Sequence, residues 1–248
     1  MRRYASAISA FLFLFFLKAP PLSAEEFQCE VMGLEGQAYV TNSVQTHQTL
    51  KEGDVLKAGD TVEVDKGGSL DIAYDGEWNN VTTLQENTKV RVESIYPIHL
   101  AMQYGGVYAK LKKLPPGSSF EIQTPTAIAA VRGSEYLATY DGAETEVLNF
   151  HESDVSVWGL DDQGQKAGDP MILKDSQKTG IRRLARPWAA RKISPIDLTR
   201  RDVFRARLAV RWKVLADRRR VGQIQNQKLT QTRKRRVRRA AALRRPFA

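Results

Sequence analysis

The sequence is poor in the side chains that bridge a small domain covalently or bind metal ions. It has one cysteine, Cys29, and three histidines in 248 residues. A single thiol excludes an internal disulfide framework, so the fold must be stabilised by a packed core. We expect Cys29 to act as a small buried hydrophobic residue, and a disulfide to another chain is the alternative.

Catalytic patterns are also lacking. His47, His99 and His151 are too far apart in the sequence to form the spacings typical of zinc ligands. The Gly-Ser-Glu at 133–135 lacks the flanking glycines of a nucleophile elbow, and no glycine-rich phosphate loop is present. We therefore predict that the protein is not an enzyme and uses neither a metal ion nor a cofactor.

No hydrophobic run is long enough to span a membrane. The longest candidate, residues 11–17 (FLFLFFL), falls far short of the roughly 20 residues that a spanning helix needs. Basic residues precede this run, and PPLSA follows it, as in a signal peptide. We predict a signal peptide at residues 1–24, cleaved after Ala24, and hence a periplasmic or secreted bacterial protein. An uncleaved anchor is the alternative.

The two charge signs are segregated along the chain. Residues 25–179 contain 12 Lys and Arg against 25 Asp and Glu, a net charge of −13, whereas residues 180–248 contain 23 against 3, a net charge of +20. The formal net charge of +10 therefore hides an acidic body and a basic tail. We predict a globular domain at 25–180, long enough for one core, and a separate tail at 181–248.

Within the body, apolar residues alternate with polar ones. Examples are LDIAY at 70–74, KVRVE at 89–93 and IHLAMQY at 98–104. Period two places apolar side chains on one face of a sheet, and turn signals recur between these segments, Gly105-Gly106 among them. This pattern predicts an all-β fold, either a sandwich or a solenoid-like roll.

The tail has a different pattern. Ser194-Pro195 is typical of a helix start, and apolar residues then recur at helical spacings among many arginines as far as Arg220. Gly222 is a candidate interruption. We predict an Arg-rich tail that is α-helical, or disordered towards its end.

One segment has a more specific pattern. Residues 124–136 read TPTAIAAVRGSEY, and together with LKEGDVLKAGDTVEV and LAMQYGGVYAKLKK they resemble the FecR domain over roughly residues 47–180. This family is the extracytoplasmic module of bacterial regulators that link outer-membrane iron-uptake receptors to a sigma factor. Ser134 stands where the family has threonine, and Ser153 stands where it usually has glycine. The residues that match the family motif are Thr124, Pro125, Val131, Arg132, Gly133, Ser134 and Tyr136.

Arg132 needs an explanation because it follows a run of small apolar residues. We expect it to be an internal structural clamp, since an arginine in such surroundings usually persists when it is paired, and we expect the other motif residues to be structural too. A partner-facing anchor is the alternative, because arginine is enriched at interface hot spots.

The resemblance implies a sensing, docking or scaffold role at the cell envelope. Expected partners are envelope proteins, with a membrane signalling protein as one candidate. Regulatory family members carry a sigma-factor-binding segment and a membrane span ahead of this domain. A 24-residue leader is expected in their place here, so we expect no direct contact with a sigma factor.

The basic tail allows a second interpretation. It could bind an anionic polymer, such as nucleic acid, lipid head groups or lipopolysaccharide, or it could fold back on the acidic body. The candidate residues for an anionic partner are Arg218, Arg219, Arg220, Arg233, Lys234, Arg235, Arg236, Arg238 and Arg239.

Overall fold

The computed structural model describes residues 28–44, 46–112, 114 and 117–243; within the last range, the side chains of 222–228 and 231–243 lie outside the description. The predicted signal peptide and its cleavage site also lie outside the described residues. Within these residues the chain forms 17 strands and one helix. They are β1 Cys29–Glu35, β2 Ala38–Thr41, β3 Gln48–Thr49, β4 Val55–Leu56, β5 Thr61–Val64, β6 Ser69–Ala73, β7 Asn80–Leu84, β8 Thr88–Ile95, β9 Ile98–Leu111, β10 Phe120–Gln123, β11 Ala127–Val131, β12 Glu135–Tyr140, β13 Glu144–Asn149, β14 Val155–Leu160, β15 Lys166–Leu173, β16 Gln177–Arg182, β17 Arg191–Lys192 and α1 Pro195–Leu243.

The strands form two layers that share β9. The layer nearer the helix, here called the helix-side sheet, has the order β4-β1-β6-β7-β9-β12-β13-β16-β17. The far sheet has the order β3-β2-β5-β8-β9-β10-β11-β14-β15. Among the described strands, β9 and β10 form the one parallel pair. The sheet does not close, and the predicted all-β fold followed by a C-terminal helix is confirmed.

The main core lies between the two sheets. Leu70 and Ile72 of β6 meet Val62 and Val64 of β5 there, as the period-two pattern predicts. Cys29 is fully buried in the same cluster, and burial, with a smaller contribution from the charge of Asp60, raises the pKa of its thiol to about 12. A thiol in this position is inert, because the reactive form is the thiolate.

The predicted turn at Gly105-Gly106 is wrong. The chain continues through both glycines as one strand of 14 residues, which passes from the far sheet into the helix-side sheet at this point. Gly105 has a φ of 103°, and a Cβ atom there would lie 2.4 Å from the Cα of Thr88 and 2.6 Å from the carbonyl oxygen of Asn87. The glycine pair therefore marks the point where the strand crosses between the sheets. The backbone at Gly105 passes too close to the backbone of Asn87 and Thr88 for a side chain to fit, and the chain does not turn back on itself there.

This geometry gives a matched pair of substitutions. Gly105→Ala should lower the free energy of unfolding by roughly 2 kcal/mol more than Gly59→Ala, because both positions have positive φ but only one is crowded. Gly59 has a φ of 94°, and a Cβ atom there would have no neighbour within 4 Å among the described residues. Urea unfolding followed by tryptophan fluorescence measures the difference, and equal losses for the two variants would contradict the close approach.

Helix α1 begins where the sequence predicts it. The Ser194 hydroxyl accepts a hydrogen bond from the Asp197 amide at 3.3 Å, and an Asp197 carboxylate oxygen accepts one from the Ser194 amide at 2.8 Å. These reciprocal bonds satisfy backbone groups at the helix start. The same carboxylate pairs with Lys178 of β16 at 2.9 Å, which ties this end of the helix to the helix-side sheet. The backbone continues through Gly222 as helix, without the interruption considered above.

Helix α1 packs along the outer face of the helix-side sheet. Phe204 and Leu208 are buried against a second apolar cluster, separate from the main core. Phe204 stacks on Tyr108 of β9 with ring centroids 4.5 Å apart. Strands β6 and β7 are consequently buried on both faces, one towards the main core and one under the helix. The other members of this cluster are Met32, Ala73, Val81, Leu137, Leu148 and Phe150.

Candidate functional site: a tryptophan-lined cleft beside the helix

Two buried carboxylates hold arginines of the helix. The first, Asp71 of β6, has no exposed surface; it accepts a hydrogen bond from the Thr83 hydroxyl at 2.6 Å. Arg211 Nε lies 3.0 Å from its other oxygen, Oδ2, as an ion pair that lacks the alignment of a hydrogen bond. Burial raises the pKa of Asp71, while Thr83 and Arg211 oppose that shift. A buried carboxylate such as Asp71 can stay ionised only when a cation lies beside it.

Gly33 of β1 provides the space that Arg211 occupies. A Cβ atom at Gly33 would lie 1.7 Å from Nη1 of Arg211 and 2.2 Å from its Cδ. Any side chain there would displace the guanidinium from Asp71. The docking of α1 therefore uses a notch in the sheet as well as apolar contacts.

The second carboxylate belongs to Glu135 of β12. Arg205 binds it with two hydrogen bonds of 2.7 and 2.6 Å, and the Tyr108 hydroxyl donates to the same carboxylate. Burial alone would raise the pKa of Glu135, but the hydrogen bonds from Arg205 and Tyr108 lower it below its usual value. A bidentate contact of this kind fixes orientation as well as distance. Glu135 directly follows the Arg-Gly-Ser of the motif, so the motif segment and the helix are coupled.

A cleft of about 1470 Å³ opens between the helix and the motif segment. Three tryptophans line it, and each has a cation over its ring. Lys110 lies 4.8 Å from the ring centre of Trp212, Lys166 lies 4.4 Å from that of Trp158, and the Arg219 guanidinium lies 3.5 Å from that of Trp78. Such contacts hold large aromatic side chains in place at a surface.

Arg132 lines this cleft together with Gly133, Ser134 and Glu135. Its side chain is exposed, and its guanidinium makes no hydrogen bond or ion pair with the described residues. Its carbonyl accepts a hydrogen bond from the Leu114 amide at 2.8 Å, so the backbone is fixed although the side chain is not. The internal partner that we expected from the sequence is therefore not found within the described part of the chain.

Most carboxylates in the cleft are already paired. Glu121 binds Lys166 at 3.1 Å, Asp154 binds Lys174 at 2.6 Å, and Glu135 binds Arg205. Arg132 and Lys112 have no such partner among the described side chains. Glu77 and Glu152 also line the cleft without an ion pair to the described side chains. The cleft thus presents aromatic surface with two unpaired cations and two unpaired carboxylates. At Arg132 itself this combination suits a ligand that has a carboxylate or other anion beside an apolar group.

Of the remaining motif residues, Val131, Gly133 and Ser134 line the cleft with Arg132, whereas Thr124, Pro125 and Tyr136 do not. The Ser134 hydroxyl donates to Asn149 at 3.1 Å and lies 3.3 Å from the carbonyl oxygen of Ser153. The Thr124 hydroxyl contacts that of Thr145 at 2.6 Å. Val131 and Tyr136 are buried, Gly133 has a φ of 149°, and Pro125 is exposed.

The structure divides the predicted anionic-partner residues into two groups. Arg218 pairs with Glu52 at 2.8 Å, Arg219 donates to the carbonyl oxygen of Gly76 at 2.7 Å, and Arg220 is exposed. The side chains of Arg233, Lys234, Arg235, Arg236, Arg238 and Arg239 lie outside the described residues, although their backbone is helical.

Sequence reasoning missed Asp71, Glu135 and the role of the tryptophans. The available signal was weak, because a carboxylate that alternates with apolar residues in a strand normally faces water. The two carboxylates are buried because helix α1 covers them, and this helix starts about 60 residues beyond the motif.

Within the described residues no group of three potential ligands could hold a metal ion, and no helix is long and apolar enough to cross a membrane.

Comparison with known proteins supports the interpretation of the motif. The family model described as FecR protein matches residues 60–153. Two crystal structures of a "putative anti-sigma factor" from Parabacteroides distasonis are similar in fold, each with 14% identity and a TM-score of 0.45. Each match covers 56% of this chain and 62% of the other, so the chain spans less than two thirds of that protein. No curated protein matches the sequence. Residues 60–153 of this chain are therefore similar to the FecR domain by the family-model match alone, and that match includes the motif around Arg132.

Proposed function

We propose that this protein is a non-enzymatic, exported binding module that recognises another protein of the cell envelope through the cleft at Arg132. The observation that carries this proposal is the position of the motif arginine. It lies exposed in a tryptophan-lined cleft and has no ion pair with the described residues. An arginine that serves only the fold would be expected to find an internal partner.

The composition of the cleft favours a protein partner. Tryptophan and arginine are the side chains most enriched at interface hot spots, where they combine apolar area with directional hydrogen bonds. Trp78, Trp158 and Trp212 supply the first property, and Arg132 supplies the second. We infer that the partner places a carboxylate against Arg132 and an apolar or aromatic group against the tryptophans.

The cellular setting of the proposal rests on the sequence. The leader at residues 1–24 predicts export, and the FecR domain is typical of envelope regulators. Sensing, signalling through a membrane protein and scaffolding are all compatible with a cleft that binds protein. A membrane signalling protein is one candidate partner.

Replacing Arg132 by alanine tests the proposal. The exported full-length chain, tagged at its C-terminus, is used to capture proteins from solubilised envelope membranes, and the captured proteins are quantified by mass spectrometry. Loss of a hot-spot arginine costs about 2 kcal/mol or more, so Arg132→Ala should reduce capture of the specific partner about 30-fold. Unfolding stability should change by less than about 0.5 kcal/mol, because the side chain is exposed.

Arg91 provides the matched control. Its side chain is half exposed on β8 in the far sheet, away from the cleft, and Arg91→Ala should leave capture unchanged. A partner that is retained equally by wild type and Arg132→Ala would contradict the proposed role of the cleft.

A second candidate function, the binding of an anionic polymer, is favoured by the far part of α1. The described contacts between helix side chains and the sheet extend from Asp197 to Arg219, yet the helix continues to Leu243. Residues 220–243 contain eight Lys and Arg and no Asp or Glu. We infer that this segment, and not Arg218 or Arg219, would carry such binding.

Salt dependence distinguishes this second candidate. Neutralising several polymer charges releases counterions, so binding to heparin, DNA or lipopolysaccharide should weaken steeply between about 50 and 200 mM salt. Replacing Arg235, Arg236, Arg238 and Arg239 by glutamine should reduce the slope. If the amount of protein bound to these polymers does not change with salt, the proposed polymer binding is contradicted.

A further inference from the structure

The solvent-facing side of α1 carries a row of exposed β-branched residues. Ile196, Val203, Val210, Val214 and Val221 are between 45 and 73% exposed. An α-helix turns by about 100° per residue, so these five side chains point within about 40° of one another. They form a single apolar row about 38 Å long, which we call the valine stripe.

The valine stripe does not take part in docking the helix. Phe204, Leu208 and Leu215 face the helix-side sheet, roughly 120° around the helix from the stripe. Valine is also a poorer helix former than alanine, leucine or arginine, so valines at exposed helical positions weaken the helix that carries them. The folding of the described chain therefore does not account for the stripe.

Basic side chains border the valine stripe on both sides. Lys213 and Arg220 are exposed on one side and make no ion pair with the described residues. Arg200 and Arg207 lie on the other side, where Arg207 is 3.3 Å from the exposed carboxylate of Glu35. Two acidic residues, Asp202 and Asp217, lie on the same side as Lys213 and Arg220, and Asp202 pairs with Arg201 at 2.7 Å. The helix as a whole contains 16 Lys and Arg against 3 Asp and Glu.

We propose that the valine stripe binds an amphipathic helix of a partner protein whose apolar row is bordered by acidic residues. An apolar seam with charged borders is how two helices recognise each other in a coiled coil, where the bordering charges select the partner. A second copy of this helix is disfavoured, because it would bring arginines against arginines. The stripe is separate from the Arg132 cleft, so this inference does not rest on the proposed function.

The test uses the full exported chain and synthetic peptides of about 28 residues, four heptads long. The probe peptide has leucine at its core heptad positions and glutamate at the bordering positions. One matched peptide has lysine at the borders, and another keeps the glutamates but has glutamine in the core. Fluorescence anisotropy at physiological salt should show binding of the probe at least tenfold tighter than that of either matched peptide.

Replacing Val210 and Val214 together by glutamine should weaken probe binding at least tenfold. Glutamine is a better helix former than valine, so the melting temperature should not fall. Val44→Gln provides the control, because Val44 is 86% exposed in a loop away from α1, and this variant should bind the probe as wild type does. Arg132→Ala should also bind the probe normally, which separates this site from the cleft.

Three outcomes would overturn the proposal. Equal binding of the probe by wild type and by the double glutamine variant would show that charge alone attracts the peptide. Equal binding of the probe and of the peptide with a glutamine core would show the same. Sedimentation showing that the chain dimerises through the stripe, without binding the probe, would assign the surface to a second copy.

Discussion

Replacing Arg211 by methionine should lower the free energy of unfolding by about 3 kcal/mol, because it leaves the fully buried Asp71 without its cation. Methionine keeps much of the apolar length of arginine, so the loss reports on charge more than on packing. Arg207→Met on the same helix is the control. Its direct partner Glu35 is half exposed, and a surface ion pair contributes less than about 1 kcal/mol. The charge of Arg207 also lowers the pKa of Asp71, but less than that of Arg211 does, so the loss should still be the smaller of the two.

The loss should also depend on pH. Burial raises the pKa of Asp71, and Arg211 opposes that shift, so the variant should raise the pKa further. A carboxyl group whose pKa is higher in the folded state binds protons more tightly when folded, so its contribution to stability falls as pH rises. The difference between Arg211→Met and wild type should therefore be larger at pH 8 than at pH 5. Equal losses for Arg211→Met and Arg207→Met at both pH values would contradict the buried pair.

Replacing Phe204 by alanine should lower the free energy of unfolding by about 4 kcal/mol. Truncating a buried phenylalanine removes its apolar burial and leaves a cavity, and here the ring stacked on Tyr108 is also lost. Val203 is adjacent in the chain but belongs to the exposed valine stripe, so Val203→Ala should change stability by less than about 0.5 kcal/mol. Guanidinium unfolding of both variants measures the contrast.

A small loss for Phe204→Ala would show that α1 is not packed on the sheet in solution. Cooperativity gives a second measure, because tryptophan fluorescence and helical circular dichroism should report one transition if helix and sheet unfold together. Two separate transitions would place α1 outside the cooperative unit.

The contacts between α1 and the helix-side sheet mean that the β-domain should not be tested without the helix. A chain ending near residue 180 would expose the apolar cluster under α1 and leave Asp71 and Glu135 without their arginines. Loss of binding by such a fragment would then reflect damage to the β-domain as much as loss of the tail. Point variants of the full chain avoid this problem, since each changes one surface at a time.

The sequence predicted features whose cause is local. The alternation in LDIAY and KVRVE depends on the strand period alone, and both segments form strands. Ser194-Pro195 starts a helix because the Ser194 hydroxyl caps it, accepting a hydrogen bond from the Asp197 amide in the first turn. The motif at 124–136 indicated the resemblance to the FecR domain, and the family model matches residues 60–153, because a resemblance of residues in order needs no three-dimensional information.

The features that could not be predicted depend on residues distant in sequence. Gly105-Gly106 has the composition of a turn, and only its close approach to Thr88 shows that it is a crossing point. Glu135 resembles a solvent-facing strand residue until Arg205, 70 positions further on, covers it. Arg132 follows buried neighbours in sequence, but the end of β11 turns its side chain towards the cleft. Charge segregation suggested that the tail could fold back, but it did not indicate which arginines would pair.

The most direct test of the proposed binding role is photo-crosslinking at position 132 in living cells. A photoreactive amino acid is placed at position 132 of the full-length exported chain, and at position 91 in a parallel strain as the control. If the cleft is the binding site, position 132 should give one prominent crosslinked envelope protein that position 91 does not give. Absence of a product at position 132, or the same products from both positions, would contradict the cleft as the site of recognition.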